Sequence, residues 1–253
     1  SGIYAVFNYL LFRNYSIDMS LLYPLSSTAL AFISSEAYRN LVVERKNRYL
    51  KKAFSSYVSP ELVAEIIKNP DRLALGGAKK EITVLFSDIR GFTGISEKLA
   101  PDVLVSLLNE YLGPMTEVVL KNKGTLDKYI GDAVMAIYNA PLDVIDHPEK
   151  ACRTAKEMID KLKEINSSFK QKGLPPVDIG IGVNTGYAVV GNMGADMRFD
   201  YTAIGDTVNL ASRLEGQNKY YGTHIILSEF TASKVKDKFM LREIDLMRVV
   251  GKE

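Results

Sequence analysis

The 253-residue sequence predicts an α+β protein, an antiparallel sheet covered by helices, with apolar helices ahead of it. Three observations carry the sheet prediction. Short β-branched runs are interspersed with stretches of helical period, two of the runs meet at a tight Gly131-Asp132 turn, and no regular βαβ repeat links them.

The chain opens on two apolar stretches, Gly2 to Phe12 and Met19 to Ser35, separated by Arg13 and the short segment Asn14 to Asp18. The second has 17 residues without a charge, close to the length of about 20 that a bilayer-spanning helix needs. Six of them are Ser or Thr, so a pair of buried core helices is the alternative to a membrane hairpin. A signal peptide does not fit, because the first stretch lacks a basic start and a small-residue cleavage site. Directly after the second stretch come Arg39, Arg45, Lys46, Arg48, Lys51 and Lys52 against the single Glu44. The positive-inside rule then places everything after Arg39 in the cytoplasm and the hairpin, residues 1–38, in the inner membrane. The first stretch is too short to span, so the chain is expected to begin inside a helix, with an N-terminal portion preceding it.

Residues 39–78 read as a helical transducer and connector. Leu50, Phe54, Tyr57 and Val58 recur at spacings of three and four, Ser59-Pro60-Glu61 is a helix start, and Gly76-Gly77 is expected to close the segment. Such a rod pairs with a second copy or simply packs as core.

From residue 79 onward strands and helices intermix. Strands are expected at Glu81 to Phe86, Thr125 to Ile130, Ala133 to Tyr138, Val177 to Val183, Tyr187 to Val190, His224 to Leu227, and near Leu241 to Val250. Helices are expected at Pro101 to Lys121, with Leu104, Leu107, Leu108, Tyr111, Met115, Val118 and Val119 on one stripe, at His147 to Phe169, and at Asp206 to Leu214.

Composition narrows the chemistry. Lys and Arg number 32 against 30 Asp and Glu, a net charge of +2, so nothing global argues for nucleic-acid binding. One cysteine, Cys152, and two histidines, His147 and His224, cannot build a His-rich metal site, so any metal must be held by carboxylates.

Three segments present such chemistry. In Phe86-Ser87-Asp88-Ile89-Arg90-Gly91-Phe92-Thr93 a strand delivers Asp88 and the chain turns into a short helix, whose N–H groups from Ile89 to Thr93 are candidates to face phosphate. Lys128-Tyr129-Ile130-Gly131-Asp132 presents a second carboxylate on a hairpin tip, where two aspartates would share two divalent ions. Taken singly, each aspartate is also an ordinary turn residue. In the third segment Asn209 and Arg213 stand four apart on the helix opened by Asp206, so an amide and a guanidinium share one face. An N-capped helix with a surface arginine is the plainer alternative.

The three stretches FSDIRGFT, KYIGDAVMA and DYTAIGDTVNLASR resemble the signature segments of class III nucleotidyl cyclases, and the similarity runs from about Lys79 to Lys252. The resemblance implies a ferredoxin-like catalytic domain over residues 79–253 that works as a homodimer with sites shared between subunits. It implies that Asp88 and Asp132, with the Ile89 carbonyl, hold two divalent cations, Mg²⁺ or Mn²⁺. Asn209 would orient the ribose and Arg213 would stabilise charge on the α-phosphate, both acting across the interface. Lys128 matches the family's adenine-reading lysine, where guanylate cyclases place Glu, which makes ATP the expected substrate and cyclic AMP with pyrophosphate the products. Thr202 occupies the second base-reading position and is able both to accept and to donate. Threonine there resembles the class IIIb subgroup, several members of which respond to bicarbonate. The pattern departs in one place. Val250 stands before Gly251-Lys252 where many members have a phosphate-binding lysine, leaving Lys252 or Arg248 to substitute, and another strand is expected after Glu253. A guanylate-specific or promiscuous cyclase and a non-catalytic nucleotide-sensing module are the alternatives. The N-terminal half has a weaker resemblance to bacterial receptor cyclases.

Overall fold

The computed structural model describes residues 2–15, 22–38, 76–195 and 197–246. The chain divides into two units, Ser1–Val58 and Ser59–Glu253. In the first, α1 (Gly2–Tyr15) and α2 (Leu22–Tyr38) follow the two apolar stretches. Ile3, Phe7, Phe12, Leu30, Phe32 and Ile33 are all exposed on them. The basic run at 39–52, the rod, the Ser59-Pro60-Glu61 helix start, Arg248 and the segment from Val250 to Lys252 lie outside the described residues.

The second unit is built around β1 (Gly76–Ile89), which has β3 (Ala133–Tyr138) on one side and β4 (Ile179–Ala195) on the other. β2 (Thr125–Ile130) borders β3, and β5 (Arg198–Ile204) borders β4, giving the order β2-β3-β1-β4-β5. All these pairs are antiparallel; the short β6 (Ile225–Leu227) adds to β4 in parallel. With α4 (Pro101–Lys121) between β1 and β2 and α5 (His147–Gln171) between β3 and β4, the core of the unit is the ferredoxin-like βαββαβ arrangement.

Burial explains why β1 is central. Its residues Ile82 to Ser87 are buried without interruption, the pattern of a strand covered on both faces. Leu85 and Ile89 join Leu107, Tyr111 and Met115 of α4 and Met158 and Phe169 of α5 in one core. Ile82, Val84 and Phe86 point the other way, to Met135, Ile137, Val190 and Ala211. By alternation Asp88 shares this second face, which α6 (Asp206–Tyr221) crosses. Among the described residues α4 is the one helix long and apolar enough to cross a membrane, and its stripe is used instead to cover the sheet.

Three expectations change. Val177 to Val183 and Tyr187 to Val190 are not two strands, because β4 pairs with β1 through the intervening Asn184-Thr185-Gly186 without a break. Gly186 marks a close approach rather than a turn, since a Cβ there would lie 2.8 Å from the Thr207 hydroxyl of α6. Gly76-Gly77 begins β1 instead of closing a connector, pairing with Asn192 and Gly191. Leu241 to Leu246 forms no strand. Two further elements were without a sequence expectation, β5 and the short α7 (Glu229–Val235), which is capped by Ser228 accepting from the Thr231 amide.

His147 and Cys152 are buried core residues. The His147 ring bonds Thr83 at 2.8 Å, and Thr83 bonds Thr185 at 2.8 Å, so the histidine is part of a buried hydroxyl network. His224 is half exposed and pairs with Asp178 at 3.0 Å.

Candidate active site

Asp88 is the last carboxylate of β1, and Asp132 sits on the β2–β3 hairpin beside it. Gly131, at a φ of 66°, makes the tight turn that presents Asp132. One backbone amide holds the two side chains together: the Ile89 N–H donates to Asp88 Oδ1 at 3.0 Å and to Asp132 Oδ2 at 3.1 Å. Burial, together with the adjacent Asp88, raises the pKa of the Asp132 carboxyl above the usual carboxylate range. Glu215 on α6 is near enough to feel both charges; burial first, then Asp88, pushes it up to about 7, with Arg90 opposing. Among the described residues no three potential ligand side chains converge. Two hard oxygen donors that repel one another suit a divalent cation whose remaining ligands come from phosphate and water.

The loop after β1 is used differently from expectation. The Arg90 amide donates to the Asp178 carbonyl at 2.8 Å, and its guanidinium pairs with the Asp178 carboxylate at 3.0 Å and with the Thr223 carbonyl. Arg90 therefore ties the loop to β4 and the α6–β6 connection, and the Ile89 amide belongs to the aspartates. Gly91, Phe92 and Thr93 lead into α3 (Phe92–Ser96), in whose first turn the Gly94 amide donates to the Gly91 carbonyl at 3.0 Å.

Asn209 and Arg213 both lie on α6, one turn apart, Asn209 exposed and Arg213 half-buried. Among the described residues neither side chain is joined to Asp88 or Asp132 by a hydrogen bond or ion pair. The helix lies against the sheet because Gly180 and Gly182 leave room: a Cβ at Gly182 would stand 2.2 Å from the Ala211 carbonyl oxygen.

Lys128 and Thr202 come from β2 and β5, strands at opposite ends of the sheet order, yet Asp127 joins them. The Thr202 hydroxyl donates to Asp127 Oδ2 at 2.6 Å, and Lys128 Nζ stands 3.5 Å from Asp127 Oδ1. The Asp127 side chain is 0% exposed. Burial pushes its pKa up, while Thr202, Lys128 and the Ala203 amide pull it down. Asp127 and Glu215 had no place in the sequence reading. Asp127 adjoins Lys128, and an acidic residue inside a strand was the available signal; nothing local distinguishes Glu215.

Residues 77–253 match the family model of the adenylate and guanylate cyclase catalytic domain. The chain is 40% identical over 199 residues to adenylate cyclase 1 of Rhizobium meliloti, covering 79% of this chain and 30% of that protein. It is 35% identical over 212 residues to an adenylate cyclase of Anabaena cylindrica, covering 81% of this chain and 40% of that protein. It thus spans well under half the length of these relatives. The crystal structure of the adenylyl cyclase CyaB from P. aeruginosa aligns with a TM-score of 0.65 at 40% identity, over 70% of this chain and 91% of that one. The guanylyl cyclase Cya2 aligns with a TM-score of 0.66 at 36% identity, over 70% and 89% of the two chains. The family match covers most of the chain and the solved structures share its fold: the chain belongs to the adenylate and guanylate cyclase catalytic-domain family.

Proposed function

We propose that the chain is the catalytic part of a membrane-anchored, homodimeric adenylate cyclase that converts ATP to 3′,5′-cyclic AMP and pyrophosphate. The observation that carries this reading is the convergence of Asp88 and Asp132 on the single Ile89 amide. Mg²⁺ or Mn²⁺ held there would supply the positive charge that polarises the ribose 3′-hydroxyl and neutralises the triphosphate. The 3′-hydroxyl gives its proton to solvent as its oxygen bonds to the α-phosphorus, the bond to the bridging oxygen breaks with its electron pair leaving on pyrophosphate, and the protein's work is positioning and charge stabilisation. Asn209 orients the ribose, and Arg213 neutralises charge on the α-phosphate as pyrophosphate leaves. The amides of Gly91, Phe92 and Thr93 face the triphosphate, with Lys252 or Arg248 as its basic partner. Lys128 donates to adenine N1, and Thr202 accepts from the exocyclic amine.

Sharing of sites across a homodimer is supported by the lack of any bond between Asn209 or Arg213 and the aspartates among the described residues. Exposed Tyr187, Val189, Phe199 and Ile204 offer apolar surface for a partner. Anchoring in the inner membrane, with the catalytic domain in the cytoplasm, is supported by the exposed apolar side chains of α1 and α2 and by the basic run that follows them in sequence. A guanylate or promiscuous cyclase is the second reading, favoured by the comparable likeness to a guanylyl cyclase structure.

The test is cyclic nucleotide formation by the purified chain with Mn²⁺, with ATP and GTP in separate tubes. Cyclic AMP from ATP alone is expected. Product from GTP alone would replace the adenylate reading, and silence with both would leave a nucleotide-sensing module. Sites made by two subunits also predict complementation between Asp88→Ala and Arg213→Ala, each inactive alone. Half of randomly mixed dimers carry one intact site of two, so about a quarter of wild-type activity should return. Well-mixed heterodimers without activity would place each site within one chain.

A further inference from the structure

β2 carries an irregularity where the base contacts arise. Leu126 pairs with Ala136 and Lys128 pairs with Met135, so Asp127 is the extra residue of a β-bulge. A bulge re-aims side chains locally, and here Asp127 and Lys128 come within 3.5 Å of each other instead of alternating across the sheet. Asp127 also reaches β5, bonding Thr202 across 75 positions of sequence.

Resting on the reading of Lys128 and Thr202 as the base contacts, we propose that Asp127 is a positioning residue that fixes the hydrogen-bond polarity of the base pocket and thereby selects adenine over guanine. An ionised carboxylate only accepts, so the 2.6 Å bond consumes the one proton of the Thr202 hydroxyl. Its lone pairs are then left to accept from a ligand. Asp127 Oδ1 has no hydrogen-bond partner and faces the Lys128 ammonium, which keeps donors for a ligand and is held on the same side. The pocket is thus one donor beside one acceptor. Adenine presents the complement, an acceptor at N1 and a donor at its exocyclic amine. Guanine presents the reverse, an N1–H against the ammonium and an O6 acceptor against an oxygen with no proton to give. Without Asp127 the Thr202 hydroxyl is free to rotate and donate to O6, and the discrimination falls.

The experiment measures kcat/KM for ATP and for GTP on one preparation of each variant, so that the folded fraction cancels in their ratio. Asp127→Asn, which keeps the shape but offers a donor to Thr202, should lower the ATP:GTP ratio by about tenfold or more, chiefly through KM for ATP. If Asp127 acts through Thr202, the same substitution in a Thr202→Val background should change the ratio by less than about twofold. Thr202→Ser, which keeps the hydroxyl, should hold the wild-type ratio. An unmoved ratio in Asp127→Asn, or an equal loss in the Thr202→Val background, would overturn the proposal. Should Asp127→Asn not fold, Asp127→Ser is held to the same two criteria. A wild-type chain that prefers GTP would overturn the adenylate reading and this proposal together, whereas an ATP-preferring wild type with an unmoved Asp127→Asn ratio overturns only the role of Asp127.

Discussion

Asp132→Asn is expected to lose turnover and gain stability. In the folded chain the Asp132 pKa is raised by burial and by Asp88, so the ionised pair opposes folding at neutral pH. A carboxyl raised on folding binds its proton more tightly in the folded state, so the penalty shrinks as pH falls through the folded pKa and is gone below the unfolded one. Asparagine removes the charge while keeping an oxygen for the Ile89 amide, now 3.1 Å from Asp132 Oδ2. Half-exposure screens the repulsion, so the expected gain is about 1 kcal/mol or less, roughly 2–4 °C in melting temperature in metal-free buffer at neutral pH. Below about pH 4, where the carboxyl is protonated in the folded and the unfolded chain alike, wild type and variant should converge. Turnover moves the other way. Losing a charged ligand at a phosphoryl-transfer site removes several kcal/mol of transition-state stabilisation, about a thousandfold at least. Mn²⁺ should also raise the melting temperature of wild type more than that of the variant. A variant that stays active, or loses stability along with activity, would mark Asp132 as a turn residue and not a ligand.

The parts of this fold legible in the sequence are those set by local period. The stripe from Leu107 to Val119 places α4 at Pro101–Lys121, and Gly131-Asp132 places the β2–β3 turn between Ile130 and Ala133. What was misread depends on distant partners. Asn184-Thr185-Gly186 has the composition of a loop, but β1 pairs along the whole of it, and Gly186 answers to Thr207 on α6 rather than to its own backbone. The site divides in the same way. Asp88, Asp132, Asn209 and Arg213 stand in segments recognisable by residue type and spacing. Asp127 acquires a role because a bulge turns it toward Thr202, and Arg90 loses one because Asp178 and Thr223 occupy it. Both outcomes depend on partners far away in sequence, Thr202 by 75 positions and Thr223 by 133.

The same substitution at two glycines should have opposite effects, because only one of them is fixed by a distant contact. Gly182 on β4 pairs with Phe86 and lies beneath α6. An alanine Cβ there would meet the Ala211 carbonyl oxygen at 2.2 Å, the Glu215 amide nitrogen at 2.3 Å and the Glu215 Cα at 2.9 Å. All three are helix backbone, which cannot rotate aside as a side chain would, so α6 must lift by about 1 Å to reach ordinary van der Waals distance. Overpacking of this kind costs about 3 kcal/mol, or roughly 10 °C in melting temperature. The helix carries Asn209 and Arg213, which the proposed function sets against the substrate, and misplacement by about 1 Å is worth roughly a hundredfold in rate. Gly216 lies on the same helix with nothing within 4 Å of a Cβ. There alanine only restores helix propensity, and Gly216→Ala should stabilise by up to about 1 kcal/mol. Melting temperatures that move in the same direction for the two variants would refute the docking of α6 through Gly182. If Gly182→Ala melts lower but retains wild-type turnover, the sheet contact at Gly182 is not what sets the positions of Asn209 and Arg213.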